Sequence, residues 1–326
     1  MKKQYNWAII GCGNIAKKFA SDLKTIPKAN LYAVASRSLQ KAEEFAKNNS
    51  FKKHYGSYAD LVKDNKVDVV YIATPHALHL EHTLLCLKHK KAVLCEKAFA
   101  INSKEVKQMI AASEENNTFL MEAFWTRFKP KFKKVMELSQ LPKLGKLKFL
   151  KSNFMFNAPF NPNERLYDVN LGGGSLLDIG IYPVFHSLQF LGKPASIKTS
   201  ATFSKTKAEE SIVVILDYNN GAKAILTSSF AATSKNETEL CFENGYIKFD
   251  REPNTPIQFF YDNNFSEINS EEHKTMGYNF EAEHVMDCLD KNLIESPILT
   301  HQFSLDLIEI LDKIRKEAGI IFPNHD

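Results

Sequence analysis

The sequence has few cysteines and no long apolar run, and both absences limit what the protein can be. Its 326 residues include five cysteines, at positions 12, 86, 95, 241 and 288, and no Cys-x-x-Cys pair. An odd number of scattered cysteines argues against a disulfide framework and favours reduced cysteines in a cytoplasmic protein. No apolar stretch approaches the length of about 20 residues that spans a bilayer, so we expect no membrane segment.

The chain also lacks a strong charge of either sign. Lysine and arginine number 42 against 38 aspartates and glutamates, which gives a net charge of +4. No basic run is organised as a nucleic-acid patch, and we expect Lys129 to Lys134 to be the solvated face of a helix. Hydrophobic residues make up 44% of the chain. That share is ordinary for a globular protein, and the length suffices for two domains with separate cores.

The most informative segment is an apolar run, residues 5–10, that ends in Gly-x-Gly-x-x-Ala before a predicted helix. In this context, backbone N–H groups at the helix N-terminus bind the pyrophosphate of a dinucleotide. Gly11 permits the tight turn, and Gly13 lets the phosphates approach the backbone. An ordinary glycine-rich turn is the alternative. The predicted cofactor loop consists of Gly11, Cys12, Gly13, Asn14 and Ile15.

The end of the second predicted strand, residues 31–35, bears on the choice of cofactor. An NAD-preferring site usually has Asp or Glu there to accept hydrogen bonds from the ribose hydroxyls. This chain has Ser36 and Arg37 instead. A carboxylate would repel the 2′-phosphate of NADP, whereas a hydroxyl and a guanidinium would bind it. We therefore predict NADP rather than NAD, with a solvated Arg37 as the alternative.

The order of predicted strands and helices changes partway along the chain. Strands separated by helices predict a parallel sheet with right-handed crossovers, and hence an α/β Rossmann domain over residues 1–122. Further on, Asn-Gly turns at 220–221 and 244–245, and an Asn-Asn turn at 263–264, separate apolar strands and predict hairpins. Residues 123–326 are accordingly expected to form an α+β domain with a large, mainly antiparallel open sheet.

Two segments place polar residues where chemistry is expected. Lys97 follows the fourth predicted strand, and ligands of open parallel sheets bind outside the carboxyl ends of the strands. Three glycines, 172–174, precede a helix in which Asp178 and Tyr182 are spaced i, i+4 and share one face. Taken alone, Lys97 is equally well a solvated surface residue, and the Asp178–Tyr182 pair is more typical of a buried hydrogen bond.

Together, these segments resemble the glucose-fructose oxidoreductase/inositol dehydrogenase (Gfo/Idh/MocA) family over essentially the whole chain. Within that family the chain looks most like the dimeric dihydrodiol dehydrogenases, which also act as NADP-dependent xylose dehydrogenases. The motifs that carry the resemblance are Trp7-Ala8-Ile9-Ile10-Gly11-Cys12-Gly13, Ala73-Thr74-Pro75-His76 with His79, Val93-Leu94-Cys95-Glu96-Lys97, Met121-Glu122-Ala123-Phe124-Trp125-Thr126-Arg127-Phe128 and Gly172 to Tyr182.

The resemblance implies roles for individual residues. Lys97 is implied as the active-site lysine, Tyr182 as proton donor or acceptor, and Asp178 as the carboxylate of the same helix. The residues implied to line the cofactor cleft are Thr74, Pro75, His76, His79, Glu96 and Lys97. Two departures stand out. Ala98 replaces the proline that usually follows the Glu-Lys pair, and Pro183 after Tyr182 predicts a kink.

Aromatic and cationic residues of the second domain are predicted to line a pocket for a sugar or a cyclic diol. They are Trp125, Arg127, Phe156, Phe160 and Arg165.

His76, His79 and His82 are spaced by three residues. No cysteine or carboxylate completes a set of metal ligands, so we expect no metal and place His82 on a solvated helix face. If Tyr182 is not the base, Lys97 or His186 takes that role.

The predicted function is an NADP-dependent oxidoreductase that transfers a hydride between the nicotinamide and a hydroxyl carbon of a sugar or cyclic trans-diol. The alternative is a dinucleotide-sensing regulator on the same fold. We expect no nucleic-acid or membrane partner.

A homodimer through the second-domain sheet is predicted, because Val213 and Ile215 alternate with the apolar residues Ile212, Val214 and Leu216. Both faces of that strand are therefore apolar, and an uncovered apolar face marks an interface.

Overall fold

The computed structural model describes residues 3–252, 254–270 and 274–326, which divide into two compact units. The first unit comprises Met1–Phe128 and Lys274–Leu305, and the second comprises Lys129–His273 and Asp306–Asp326. The predicted division at residues 122 and 123 treats each domain as one continuous segment. The first compact unit instead extends a few residues further and includes a stretch near the end of the chain. Within the described residues, none of the helices combines the length and the apolar composition needed to cross a bilayer.

The first unit is built on a six-stranded parallel sheet with strand order β3-β2-β1-β4-β5-β6, which confirms the predicted Rossmann sheet. Its strands are β1 (Tyr5–Ile10), β2 (Ala29–Ala35), β3 (Lys53–Tyr55), β4 (Val69–Ile72), β5 (Ala92–Glu96) and β6 (Leu120–Ala123). The central strands β4 and β5 are buried at every residue, and all their residues except Glu96 at the end of β5 are apolar. The short β3 has two exposed polar residues and carries no such signal.

Along the chain, the helices lie between the strands and after the last strand. They are α1 (Asn14–Leu23), α2 (Leu39–Asn49), α3 (Tyr58–Val62), α4 (His79–Lys88), α5 (Ser103–Asn116), α6 (Pro130–Ser139), α7 (Ile181–Leu191), α8 (Tyr278–Asp290) and α9 (His301–Ala318). In the first unit, Phe19 of α1 stacks on Tyr71 at 3.7 Å between ring centroids and lies 5.6 Å from Trp7. These three aromatic rings are buried and form part of the core of the unit.

A carboxylate from α1 explains why α8 belongs to the first unit. The side chain of Asp22 accepts hydrogen bonds from the backbone N–H groups of Met276, Gly277 and Tyr278, at 3.2, 2.9 and 2.9 Å. A helix N-terminus needs such acceptors, and a negative charge there also interacts favourably with the helix dipole. The cap therefore comes from a residue about 250 positions earlier in the chain, which no local sequence pattern indicates.

The second unit contains an eight-stranded sheet with strand order β14-β13-β12-β11-β7-β10-β9-β8. Its strands are β7 (Leu147–Met155), β8 (Ser196–Phe203), β9 (Glu209–Asp217), β10 (Lys223–Ser229), β11 (Glu237–Phe242), β12 (Gly245–Asp250), β13 (Ile257–Tyr261) and β14 (Asn264–Ile268). Only β7 and β10 run parallel, so the predicted, mainly antiparallel sheet is confirmed. The turn before β14 uses Asp262 and Asn263, both with positive φ, one residue earlier than predicted.

The prediction of a solvated lysine face at residues 129–134 is wrong for two of its lysines. Lys129 and Lys131 are only 3% and 4% exposed. Lys129 Nζ donates to the Arg251 carbonyl at 2.6 Å, and Lys131 Nζ lies 2.9 Å from Asp250 Oδ1. Burial lowers the pKa of Lys129 to about 8. Helix α6 packs against β12, and this long-range contact covers side chains that a charge pattern assigns to solvent.

Candidate active site

The glycine loop has the geometry that a dinucleotide phosphate requires. Gly11 has a φ of +101°, and a Cβ there would lie 2.7 Å from the Ala73 carbonyl oxygen. A Cβ on Gly13, in contrast, would meet no protein atom within 4 Å, so the space beside it is open. None of the described side chains caps the N-terminus of α1, and its first turn carries no acidic residue. The loop therefore fits an anion bound at the helix N-terminus.

Beside this loop, the end of β2 is positively charged. Arg37 is exposed, and Ser36 directly follows the strand. Tyr58 and His82 pack edge to face with ring centroids 4.6 Å apart, and His82 Nδ1 lies 3.0 Å from Thr74 Oγ1. Burial and, to a smaller extent, the nearby Arg37 charge lower the pKa of His82 to about 4. Arg37, Tyr58 and His82 thus form one group at the edge of the parallel sheet.

The expectation that His82 lies on a solvated face of α4 is wrong. Its side chain is only 3% exposed. The reason is that α3 packs against α4 and places Tyr58 over the imidazole. The position of the short helix α3 against α4 depends on tertiary packing.

The backbone that carries Lys97 is fixed by buried side chains. His79 Nδ1 lies 2.9 Å from the Ala98 carbonyl oxygen, and its Nε2 lies 2.8 Å from the Thr74 carbonyl oxygen. His79 therefore joins the chain after β4 to the chain after β5. The imidazole is fully buried, which lowers its pKa to about 4 although both carbonyls favour the protonated ring. The peptide bond between Lys97 and Ala98 is cis, and Ala98 is fully buried.

Two further glutamates lie beside this backbone. Glu96, which was predicted to line the cofactor cleft, is 6% exposed; its Oε1 accepts from the Tyr71 hydroxyl and its Oε2 from the Lys97 N–H. Glu122 is 2% exposed, accepts from the Phe99 N–H at 3.2 Å and from Ser304 Oγ at 2.7 Å. Burial raises the pKa of Glu122 to about 7. Sequence analysis gave Glu122 no role, although a carboxylate within the apolar strand β6 is a detectable signal.

In the second unit, the glycine-rich segment leads into an irregular helix. Residues Leu176–Gly180 form a π-helical turn and α7 begins at Ile181, so the helix is irregular just before Pro183. Ser175 Oγ donates to Glu209 Oε1 at 2.5 Å, and the Leu176 N–H donates to Glu209 Oε2 at 2.9 Å. Glu209 is 1% exposed, and burial raises its pKa to about 8. This carboxyl, absent from the sequence predictions, anchors the start of the helix that carries Asp178 and Tyr182.

Asp178 and Arg165, which the sequence assigned to catalysis and to substrate binding, lie together. Arg165 Nη2 is 2.9 Å from Asp178 Oδ1, and the two side chains are 37% and 15% exposed. The pair is therefore partly open to solvent, which weakens it by screening. Arg165 has a structural partner in addition to any role at a substrate.

Aromatic side chains surround Tyr182 within the second unit. Its ring centroid is 5.5 Å from that of Phe154, and Phe156 packs 5.2 Å from Phe230. The Arg251 guanidinium lies 3.9 Å from the centroid of the Phe154 ring. Phe160 is 44% exposed and packs edge to face on Tyr167 at 5.0 Å. Sequence analysis named Phe156 and Phe160 but not Phe154 and Arg251. In the sequence, Phe154 resembles an ordinary core residue of a strand, and Arg251 resembles an ordinary surface residue.

Trp125 and Arg127 belong to the first compact unit, although the sequence placed them in the second domain. They lie on a 3₁₀ turn, Trp125–Phe128, and the Trp125 ring stacks on Tyr278 at 4.8 Å. Burial lowers the pKa of Arg127.

His186 has its Nδ1 2.8 Å from Thr238 Oγ1, and burial lowers its pKa to about 3, so it is a weak base. Across the described ranges, no three His, Cys, Asp or Glu side chains form a metal-binding group.

Comparison with known proteins matches both parts of the chain. Residues 5–124 match the oxidoreductase family with an NAD-binding Rossmann fold, Gfo/Idh/MocA, and residues 132–248 match the C-terminal domain of that family. Two relatives are named trans-1,2-dihydrobenzene-1,2-diol dehydrogenase. The protein from Xenopus laevis is 37% identical, with 97% of this chain and 99% of the relative covered. The protein from Bos taurus is 35% identical, with coverage of 97% and 98%.

Solved structures share the whole fold. A 3-ketoreductase from Actinomadura kijaniata in complex with NADP superposes with a TM-score of 0.87 at 23% identity, over 97% of this chain and 98% of that one. A levoglucosan dehydrogenase in complex with NADH gives 0.89 at 17% identity, over 97% of each chain. At these identities the likeness establishes the fold alone, whereas the family models and the full-length relatives go further. This chain is therefore a member of the Gfo/Idh/MocA family and an NAD(P)-dependent oxidoreductase.

Proposed function

We propose that the protein is a dehydrogenase for a cyclic trans-diol or a sugar, which removes a hydride from a hydroxyl carbon or adds one in the reverse direction. The partly exposed ring of Phe156, which packs against Phe154 beside Tyr182, carries this proposal. Flat aromatic faces suit the apolar face of a sugar or the ring of a cyclic diol. The names of the full-length relatives, which are diol dehydrogenases, support the same class of substrate.

The residues of this chain then divide the proton chemistry. A bound nicotinamide supplies hydride transfer, and the protein supplies binding and proton transfer. Tyr182 accepts the proton of the substrate hydroxyl. A free tyrosine has a pKa near 10, so it needs a positive charge near it to act as a base at neutral pH, and Lys97 keeps its proposed role as the active-site lysine. Asp178, paired with Arg165, orients the substrate hydroxyl or the lysine.

NADP is the proposed cofactor rather than NAD. The group at the end of β2 contains Ser36, the exposed Arg37 and the packed rings of Tyr58 and His82, and it has the positive charge that a 2′-phosphate needs. No aspartate or glutamate occupies the two positions after β2. A charge-assisted hydrogen bond between a guanidinium and a phosphate is stronger than one between neutral groups.

The test is a turnover assay with purified protein, monitored by the absorbance of the reduced nicotinamide. NADP and NAD are each combined with a panel of trans-diols, aldoses and polyols. We expect turnover with NADP and at least one diol or sugar. Tight NADP binding without turnover of any panel member would favour the alternative, a dinucleotide-sensing regulator.

The outer face of the eight-stranded sheet supports the proposal of a homodimer. On β9, Ile212, Val214 and Leu216 are buried, whereas Val213 and Ile215 are 42% and 39% exposed. Tyr246 and Phe260 stack on neighbouring strands with ring centroids 5.2 Å apart. An exposed apolar sheet face of this kind fits a second copy of the chain. Light scattering at micromolar concentration should give the mass of a dimer, and a monomer would contradict the proposal.

A cytoplasmic location is proposed from the cysteines. All five are free thiols, and Cys86, Cys95 and Cys288 are buried. Free thiols persist in a reducing compartment. Fractionation of the source cells with an antibody to the protein tests the location.

A further inference from the structure

The backbone after Lys97 is held at three atoms by buried side chains, and one of these is the carboxyl of a glutamate. His79 contacts the Ala98 carbonyl at 2.9 Å, the Cys95 thiol contacts the Phe99 carbonyl at 3.8 Å, and the Glu122 carboxyl accepts from the Phe99 N–H at 3.2 Å. Phe99 is two residues after the lysine. The path of the chain that presents Lys97 therefore depends on Glu122.

Glu122 occupies a position where a neutral side chain would satisfy the same donors. It lies on β6 with Cys95 of β5 opposite it in the parallel register, and it is 2% exposed. Its two oxygens accept from one backbone N–H and one serine hydroxyl, neither of them charged. Burying a carboxylate costs free energy that a glutamine in the same place would avoid. The carboxyl group therefore calls for an explanation beyond hydrogen bonding.

The charges that face Glu122 supply that explanation. Lys97 lowers the pKa of Glu122 and Glu96 raises it, while burial raises it most and brings it to about 7. The titratable groups that interact with it are Cys95 and Glu96 of β5 and Lys97 directly after that strand. His301 of α9 contacts the same strand as Glu122, with its Nε2 2.9 Å from the Leu120 carbonyl oxygen. Glu122 and Lys97 thus interact electrostatically, and the interaction is attractive only when the carboxyl is ionised.

We propose that Glu122 is a positioning residue for Lys97: its buried carboxyl fixes the backbone two residues after the lysine and, when ionised, acts on the lysine ammonium. Its effect on activity rests on the proposed role of Lys97 in catalysis. Its effect on the chemical reactivity of Lys97 does not depend on that role.

The test measures the rate at which Lys97 is acylated by a trace of acetic anhydride, followed by mass spectrometry, from pH 6 to pH 10. Glu122→Gln keeps an oxygen for the Phe99 N–H and removes the charge. Because a nearby negative charge favours the ammonium, its removal should raise the acylation rate at pH 8 by about threefold to tenfold. The wild-type curve should have an inflection near pH 7 that the variant lacks.

Glu209→Gln is the matched control. Glu209 also accepts from a serine hydroxyl and a backbone N–H and also has a raised pKa, but its partners lie in the second compact unit. It should leave the shape of the Lys97 curve as in the wild type. Ser304→Ala is a second variant, which retains the Glu122 carboxyl but removes one donor to it. Loss of that donor disfavours the carboxylate, so the inflection should move to higher pH.

Turnover provides the second readout. The pH profile of kcat should lose its change near pH 7 in Glu122→Gln, with kcat reduced more than KM is raised. Altered acylation with no turnover of any substrate by the wild type would contradict the proposed function and support this inference. A Lys97 acylation curve identical in wild type and Glu122→Gln would overturn the inference, whatever the variant does to stability or activity.

Discussion

The segment that carries Lys97 and the segment that carries Tyr182 are both backed by a buried glutamate, but the two glutamates have different surroundings. Glu122 interacts with the charges of Glu96 and Lys97. Glu209 accepts from Ser175 and Leu176 at the start of a helix, and the only charge that acts on it is the neighbouring Glu210. The first glutamate belongs to a network of ionisable groups, whereas the second resembles a helix cap.

The two segments also differ in the side chains that hold their backbone. Around Lys97, buried side chains from β5, β6 and α4 contact consecutive backbone atoms. The Tyr182 segment instead begins with glycines, passes through a π-helical turn, and carries Asp178 in a partly exposed pair with Arg165. Side chains from three elements thus hold the backbone after Lys97, whereas Glu209 holds the Tyr182 segment at its start. Because Phe156 and Arg165, which are proposed to bind the substrate, lie in the second unit, substrate preference should depend mainly on that unit.

The largest expected effect is on the chemical step itself. Lys97→Met and Tyr182→Phe should each reduce kcat by about 100-fold or more, the range typical of general acid–base groups, while NADP still binds. The measurement is kcat across pH 6 to 9 together with NADP affinity by fluorescence titration. A Tyr182→Phe enzyme with near-normal turnover at all pH values would leave Lys97 as the base and break the proposed division of roles.

Cofactor affinity should respond only to changes in the first unit. Arg37→Ala removes the guanidinium proposed to bind the 2′-phosphate, so NADP affinity should fall about tenfold to 100-fold while NAD affinity changes little. The two dissociation constants are measured side by side by isothermal titration calorimetry. An equal loss for both cofactors would indicate that Arg37 only stacks on the adenine.

A smaller effect is expected at the Arg165–Asp178 pair. Arg165→Leu removes one partner of Asp178, and because the arginine is 37% exposed, the pair is partly screened. If the arginine positions Asp178, kcat should fall about threefold to tenfold with little change in KM. A rise in KM alone would show instead that Arg165 binds the substrate, as the sequence predicted. NADP affinity serves as the control and should remain at the wild-type value.

The last expected effect, that of Glu209, concerns stability rather than activity. Burial raises its pKa to about 8 in the folded protein, so the folded state holds a proton that the unfolded state releases near its ordinary pKa. Its contribution is therefore fully present below about pH 4 and is lost as the pH rises through about 8, with a slope of at most about 1.4 kcal/mol per pH unit. Glu209→Gln should flatten the fall of the melting temperature between pH 5 and 8. An unchanged slope would show that Glu209 does not titrate in this range.

Much of the architecture follows from local patterns. The alternation of strands and helices predicted the parallel sheet, and β4 and β5 are apolar except for Glu96 because both faces of each strand are buried. The Asn-Gly turn at 220–221 was predictable because glycine readily adopts a positive φ, and Gly221 has a φ of +81°. Strand β8 was missed, since Ile197 and Phe203 are its only large apolar residues.

The sequence by itself determined which segments bear the chemistry: the glycine loop at Gly11 and Gly13, the lysine after β5, and the helix with Asp178 and Tyr182. Those signals are local, because a tight turn, a strand end and a helical spacing are each set by a few neighbouring residues. Only the tertiary structure decided which groups support them. The placements of Glu122 beneath the Lys97 backbone, of Glu209 at the start of the Tyr182 helix and of Tyr58 over His82 depend on contacts between distant parts of the chain, where burial sets exposure and pKa.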